Sequence, residues 1–228
     1  MRNSARTVCA VLFDLDGTLL DTAPDMVGAL NELRHEERTE ALSFDVVRPL
    51  VSLGATALVR LAFPDVDAVA FAALRTRFLK LYQSRLARET LPFEGVLDAL
   101  ARLDSNRIPW GIVTNKPGWL TEPLLRQLAP LDSARVIVSG DTLAERKPHP
   151  APLLYAADKL GVAAARCIYI GDAERDVLAA QAAGMKAFVA LFGYIPTDAQ
   201  PRTWPAGGWL ESPQAMIELL DSIISSRH

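Results

Sequence analysis

Two aspartates stand one residue apart in Phe13-Asp14-Leu15-Asp16-Gly17-Thr18, directly after an apolar run over residues 8–13. Carboxylates this close repel each other and are costly to bury, unless a cation or a phosphoryl group makes use of them. On an extended chain, residues two apart point to the same side, so Asp14 and Asp16 address one ligand. A second acidic pair, Asp172 and Asp176, is spaced by one helical turn after the run over residues 167–170, which lets both reach one point. Hard oxygen ligands of this kind suit Mg2+, which keeps several waters and binds phosphate oxygens. Thr114 and Asn115 follow the run Trp110-Gly111-Ile112-Val113, and Lys147 stands in Glu145-Arg146-Lys147-Pro148-His149-Pro150. Each feature also has an ordinary structural reading. The first pair suits a polar turn around Gly17, while Thr114, Asn115, Asp172 and Asp176 suit helix capping, and Lys147 suits a solvated charged turn.

The elements that must position these groups can be read from the same pattern. Short apolar runs over residues 8–13, 108–114, 136–139, 167–170 and 187–192 alternate with helical stretches, the rhythm of a parallel sheet covered by helices. Such sheets bind ligands at the carboxyl edge of their strands, which is where Asp14, Thr114 and Asp172 are delivered. Helices are predicted after Pro117, over 151–160 and 174–183, closed by Gly161 and Gly184, and over 213–224. From about residue 22 to residue 91 the strand rhythm stops. Apolar residues at helical spacing there predict helices over 25–38, 44–51, 55–62 and 66–86. The organisation expected is an α/β catalytic core of residues 1–21 and 93–228 with an inserted helical cap of residues 22–92. The adjacent connections Asp21-Thr22-Ala23-Pro24 and Leu91-Pro92-Phe93-Glu94-Gly95 are candidates for a hinge, and a hinged cap closes over a small ligand. A static helical layer is the alternative.

The stretch from Phe13 to Asp25, then Val113-Thr114-Asn115-Lys116-Pro117, Lys147-Pro148 and Gly171-Asp172-Ala173-Glu174-Arg175-Asp176, resembles the ordered motifs of the haloacid dehalogenase superfamily in its phosphatase branch. The resemblance implies a Rossmann-like core, a mobile cap and hydrolysis of a phosphomonoester. That reaction needs an in-line nucleophile, neutralised equatorial oxygens and a proton for the leaving alkoxide. Asp14 is the candidate nucleophile, forming an aspartyl-phosphate. Asp16 is the candidate acid and base, with crowded, negative surroundings expected to raise its proton affinity. The dehalogenase branch, which attacks carbon, lacks this second aspartate.

The resemblance also decides for phosphate binding at Thr114, with Asn115 contributing its side chain or only its backbone. Lys147 reaches nucleophile and phosphate, and three aspartates facing a phosphate dianion call for more than one divalent cation. Asp14, the Asp16 backbone carbonyl and Asp172 are the expected Mg2+ ligands, with Asp176 acting from outside them or through water. Ala173 replaces the second aspartate of one variant of this motif, which leaves the metal geometry open. Asp14 to Asp25 and Val113 to Pro117 look most like phosphoglycolate phosphatases. Phe78-Leu79-Lys80-Leu81-Tyr82, Trp110 to Pro117, Gly193-Tyr194-Ile195 and Trp204 are similar to N-acetylmuramic acid 6-phosphate phosphatases. The choice between these substrates is expected to rest with the cap and the loop after Leu53-Gly54-Ala55. A phosphomutase would use the same aspartates but return the phosphoryl group to a sugar. A non-catalytic phospho-ligand binder would have little reason to keep Asp16, Lys147 and Asp172 together.

Composition narrows the partners. With 228 residues, 50% of them hydrophobic, and a formal net charge of −3, the chain suits one ordinary domain or a core with a modest insertion. The charge gives no electrostatic case for nucleic acid or an anionic membrane. No run approaches the ~20 apolar residues of a membrane span, and the run before Asp14 is too short for a secretory signal. Cys9 and Cys167 lie in apolar runs, which predicts buried, reduced thiols and a cytoplasmic location. His35, His149 and His228 are scattered, and no Cys/His cluster has zinc spacing. Trp119, Trp204 and Trp209 are read as packing residues ahead of stacking ones. The expected partner is a small phosphorylated metabolite, and the oligomeric state is left open.

Overall fold

A computed structural model describes residues 8–129 and 131–226, so residues 1–7 of the expected core and His228 lie outside the described residues. Strand β1 (Ala10–Phe13) is four apolar residues long and buried on both faces, as a central parallel strand must be. It is followed by a short strand β2 (Leu20–Asp21), helices α1 (Ala23–Glu36), α2 (Phe44–Val47), α3 (Ala55–Ala62) and α4 (Ala68–Arg85), and a short strand β3 (Leu91–Pro92). The chain then runs through α5 (Val96–Ser105), β4 (Trp110–Val113), α6 (Gly118–Gln127), β5 (Ile137–Val138), α7 (Ala151–Lys159) and β6 (Cys167–Gly171). It ends with α8 (Glu174–Ala182), β7 (Lys186–Ala190), β8 (Trp209–Leu210) and α9 (Pro213–Ser225).

Six strands form one sheet in the order β5-β4-β1-β6-β7-β8, with every neighbouring pair parallel. The chain builds outward from β1 to β4 and β5 on one side, then crosses to β6 and its neighbours on the other. The ends of β1, β4 and β6 therefore border the crevice where strand order reverses. Phe13 lies opposite both Ile112 and Ile170, so Asp14, Thr114 and Asp172 leave the sheet within one residue of a common level. Alternation along the strands splits the core in two. Val11, Phe13, Trp110, Ile112, Ile168 and Ile170 face the side covered by α5, α6 and α9, while Ala10, Leu12, Cys167 and Tyr169 face α7 and α8.

The helical block has its own packing logic. α4 lies along α1 and α3, and Met26, Leu30, Leu58, Val59, Leu74 and Phe78 are buried between them. This apolar cluster is continuous with the sheet's α5–α6–α9 side, which includes Leu15 and Leu19 at the end of β1. α4 starts at Ala68, slightly later than its periodicity predicts, because the Asp67 carboxylate accepts the Val69 and Ala70 amides and caps the first turn. The helix expected over 44–51 stops being α-helical at Val47. Pro49 has no amide hydrogen for the Asp45 carbonyl, and residues Arg48–Leu53 wind as a tighter 3-10 turn. β2 and β3 pair antiparallel, with Leu20 opposite Pro92 and Asp21 opposite Leu91, so the chain enters and leaves the block side by side. No described helix is long and apolar enough to cross a membrane.

Candidate active site

Asp14 is buried at the end of β1. Its Oδ1 accepts the Leu15 amide at 2.8 Å and lies 3.0 Å from Lys147 Nζ, while Oδ2 makes no hydrogen bond among the described residues. Burial pushes the carboxyl up to about 6, against the opposing pull of the Lys147 ammonium. One oxygen is thus held in place and the other is open to a ligand.

Across the crevice, Asp172 follows β6 and is fully buried. Its Oδ2 accepts the Ser52 hydroxyl at 2.6 Å and the Tyr194 amide at 2.7 Å. Oδ1 is buried with no partner. Burial, with the neighbouring Asp14 and Asp176 carboxylates adding to it, raises Asp172 to about 8, offset in part by the Ser52 and Tyr194 hydrogen bonds. Backbone presses closely on this residue. A Cβ on Gly17, whose φ is +79°, would fall 2.0 Å from Asp172 Oδ2, and one on Gly193 would fall 2.4 Å from Asp172 Cβ. Asp14, Asp172 and Asp176 each offer an oxygen within 4.8 Å of the others. A buried, unpartnered carboxylate oxygen beside two further carboxylates fits a hard divalent cation such as Mg2+. Asp176 also serves the helix: its Oδ2 accepts the Ala173 amide at 3.0 Å at the start of α8, and its Oδ1 lies 2.8 Å from Lys147 Nζ.

Lys147 is buried: its ammonium donates to the Tyr169 hydroxyl at 2.7 Å and forms ion pairs with Asp14 and Asp176. Tyr169 in turn donates to the Val113 carbonyl at 2.7 Å, which ties β6, β4 and the lysine together. Asn115 brackets the lysine's backbone. Its Nδ2 donates to the Lys147 carbonyl at 2.9 Å and its Oδ1 accepts the Lys147 amide at 3.1 Å. The amide thus helps to position Lys147, and its second Nδ2 hydrogen makes no bond among the described residues. Thr114 is buried at the end of β4 and its hydroxyl oxygen accepts the Lys116 amide at 3.1 Å, shaping the turn before α6.

Asp16 differs from expectation in its surroundings. Its Oδ1 accepts the Thr22 hydroxyl at 2.7 Å and the Lys116 ammonium at 2.8 Å, so a cation stands where only negative neighbours were foreseen. Lys116 is buried and also donates to the Tyr82 hydroxyl of α4 at 2.8 Å. Burial works against its charge, but the Asp16 carboxylate more than offsets this and holds the ammonium charged. The Tyr82 hydroxyl, buried beside them, is pushed up to about 12.

These groups open onto a cavity of about 500 Å3 between core and insertion. Asp14, Asp16, Thr114, Asn115, Lys116 and Lys147 line the core side. The insertion contributes polar Ser52, Arg75 and Tyr82 and apolar Met26, Val51, Leu53 and Leu79. Sequence reasoning missed Ser52, Tyr82, Lys116 as a separate actor, Tyr169, Tyr194 and Arg175. Ser52 and Tyr82 reach the site only through tertiary packing, and local spacing carries no signal for them. Lys116 lay inside a motif already in hand, where its charge was the available clue. None of Trp119, Trp204 and Trp209 lines the cavity. Trp204 packs in the core and Trp209 donates its indole hydrogen to the Pro201 carbonyl, whereas Trp119 lines a separate surface groove.

A family profile described as Haloacid dehalogenase-like hydrolase matches residues 11–190. The chain belongs to this family. A phosphoglycolate phosphatase of Xanthomonas campestris pv. campestris is 48% identical over 92% of this chain and 95% of its own length. An N-acetylmuramic acid 6-phosphate phosphatase of Pseudomonas aeruginosa is 38% identical, covering 93% and 94% of the two chains. The haloacid dehalogenase-like architecture is also that of a solved structure described as a predicted phosphoglycolate phosphatase from Haemophilus somnus, with a TM-score of 0.84 at 23% identity over 93% of this chain and 98% of the other. This member of the haloacid dehalogenase-like family is an enzyme, a phosphoric monoester hydrolase.

Proposed function

We propose that the enzyme hydrolyses a small phosphorylated carboxylic acid through a phosphoryl group carried on Asp14. The observation that carries this reading is the Asp14 carboxylate itself. One oxygen is pinned by Lys147 and the Leu15 amide while the other is unengaged at the wall of the cavity. In the first half-reaction the free oxygen attacks phosphorus and the bond from phosphorus to the ester oxygen breaks. Asp16 gives its proton to the departing alkoxide. In the second half-reaction water attacks the aspartyl-phosphate, Asp16 takes a proton from it, and phosphate leaves with Asp14 restored. Lys147, the Thr114 hydroxyl and the backbone of Asn115 hold the equatorial oxygens. Asp14, the Asp16 carbonyl and Asp172 would hold Mg2+, with Asp176 acting from outside them, and the ion would neutralise charge between phosphate and carboxylates.

The helical block of residues 22–92 is the cap of this reading, and the paired strands β2 and β3 are its hinge against the core of residues 1–21 and 93–228. Arg75 from the block and Arg146 from the core line the cavity, and neither has an ion-pair partner among the described residues. With Arg175, which also lines the cavity without an ion pair among the described residues, they are cations available to a substrate carboxylate. Two acids named by the relatives, 2-phosphoglycolate and N-acetylmuramic acid 6-phosphate, share that group. The small phosphoglycolate would leave most of a cavity of about 500 Å3 unfilled, which favours the larger sugar acid. A cytoplasmic location, suggested by the two cysteines, goes with this reading.

A phosphate-release screen with Mg2+, with the two acids compared side by side, tests the reading. Release expected from the wild type should drop by about a thousandfold or more in Asp14→Asn, because nucleophilic catalysis is lost. Release that persists unchanged in Asp14→Asn would remove Asp14 from the role. Isomerised hexose phosphate without free phosphate would replace hydrolysis by phosphoryl return to the sugar.

A further inference from the structure

Lys116 and Tyr82 lie outside the roles assigned above, yet they are buried together against Asp16. The Lys116 ammonium and the Thr22 hydroxyl both engage Asp16 Oδ1, at 2.8 and 2.7 Å, while Oδ2 makes no hydrogen bond among the described residues. A carboxyl group held this way is fixed in rotation about its last bond and has one oxygen left to exchange a proton. Lys116 is itself fixed. Its ammonium donates to the Tyr82 hydroxyl at 2.8 Å and stands 4.6 Å from the centre of that ring. Tyr82 belongs to α4 of the helical block, and Thr22 stands at the block's entry. The clamp on the core's Asp16 is therefore built from both sides of the hinge.

We propose that Lys116, held by Tyr82, is a positioning residue that aims Asp16 Oδ2 at the leaving oxygen, so that proton delivery is complete only with the helical block seated. The inference rests on the proton-shuttling role proposed for Asp16. It separates proton delivery from attack, since the side chains of Lys116 and Tyr82 bond neither Asp14 nor the phosphoryl-binding groups, and only the Lys116 main-chain amide meets the Thr114 hydroxyl. An aryl ester with a good leaving group departs without a proton, whereas an alkyl ester does not.

The test compares p-nitrophenyl phosphate with a simple alkyl phosphomonoester in the full-length enzyme with Mg2+, scored as the ratio of the two kcat/KM values, which report the first half-reaction and not the dephosphorylation both esters share. Asp16→Asn sets the reference loss of the alkyl rate. Tyr82→Phe, which keeps the ring and removes the acceptor, should lower the alkyl-to-aryl ratio by about tenfold, and Lys116→Met by about a hundredfold, within the range general acids contribute. Arg77→Ala removes ion pairs to Glu36 and Glu37 from the same helix and should leave the ratio unchanged even if it loosens the block. Equal losses on both esters in Tyr82→Phe and Lys116→Met, or no change of ratio in either, would overturn the proposal. A ratio that falls as far in Arg77→Ala would reduce the clamp to general packing. An alkyl-to-aryl ratio left unchanged in Asp16→Asn would instead count against the proton-shuttling role beneath it.

Discussion

Asp14 and Asp172 bind protons more readily here than carboxyl groups in water, at about 6 and about 8, because burial and mutual repulsion disfavour their charged forms. A carboxyl whose proton affinity is raised by folding stabilises the fold at low pH. That stabilisation is withdrawn as pH climbs through its folded value. The window opens at about 4, where the unfolded carboxyls ionise, and closes at about 6 for Asp14 and about 8 for Asp172. Metal-free protein is expected to lose thermal stability across this window, while Asp172→Asn, which cannot ionise there, shows a flatter decline. Melting curves in EDTA at about pH 5.5 and about pH 8.5 measure both slopes. Adding Mg2+ at the upper pH should recover the lost Tm, since an ion bound only by the folded state shifts the balance by mass action. A wild-type slope no steeper than that of Asp172→Asn would refute the link between this carboxylate and stability.

At the scale of elements, β6 carries two functions on alternate residues. Ile168 and Ile170 pack into one half of the core, and Tyr169 on the other face joins Lys147 to the Val113 carbonyl of β4. Removing its hydroxyl leaves a buried carbonyl and one hydrogen of a buried ammonium without partners. Tyr169→Phe is expected to cost about 1–3 kcal/mol, the penalty for unsatisfied buried polar groups, read as a lower urea midpoint with an unchanged slope. Its kcat should fall as well, because Lys147 then has only Asp14 and Asp176 to hold it. A variant as stable and as active as the wild type would mean the three-way junction has no weight. Most of this layer was legible in sequence. Long apolar runs before Asp14, Thr114 and Asp172 mark the central strands because burial on both faces demands them. The pairs β2 and β3, each two residues long, and β8 are too short to show a period, so tertiary pairing had to reveal them.

The molecule as a whole is organised around the passage between core and insertion. Tyr194 spans it. Its amide donates to Asp172 Oδ2, its hydroxyl donates to Asp21 Oδ1 at 2.6 Å and accepts the Ala23 amide at 2.9 Å, and Arg48 lies over its ring. Tyr194→Phe keeps the amide contact and loses the bonds to Asp21 and Ala23. Hydrogen exchange is expected to quicken at Ala23 and through the start of α1 while β1, β4 and β6 keep their protection. Uniform acceleration over the sheet, or none at the hinge, would show that the hydroxyl does not anchor the entry. Sequence reading found the helical stretch that follows β1 and the acids at the strand ends because both are written locally, in period and in motif. It did not reach Ser52, Tyr82 or Tyr194. Their places depend on how segments more than a hundred residues apart, such as Ser52 and Asp172, fold back on one another.

The Ser52 contact has a bearing on how such enzymes can diversify. Ser52, from the helical block, donates to the Asp172 carboxylate that is proposed above to hold the cation. Replacing the whole insertion with that of a relative would thus import a new neighbour for Asp172 along with new walls for the pocket. On the proposed reading, substrate preference and metal handling would be inherited together, and new specificities would come more readily from substitutions around Leu53, Arg75 and Leu79 than from exchange of the entire block.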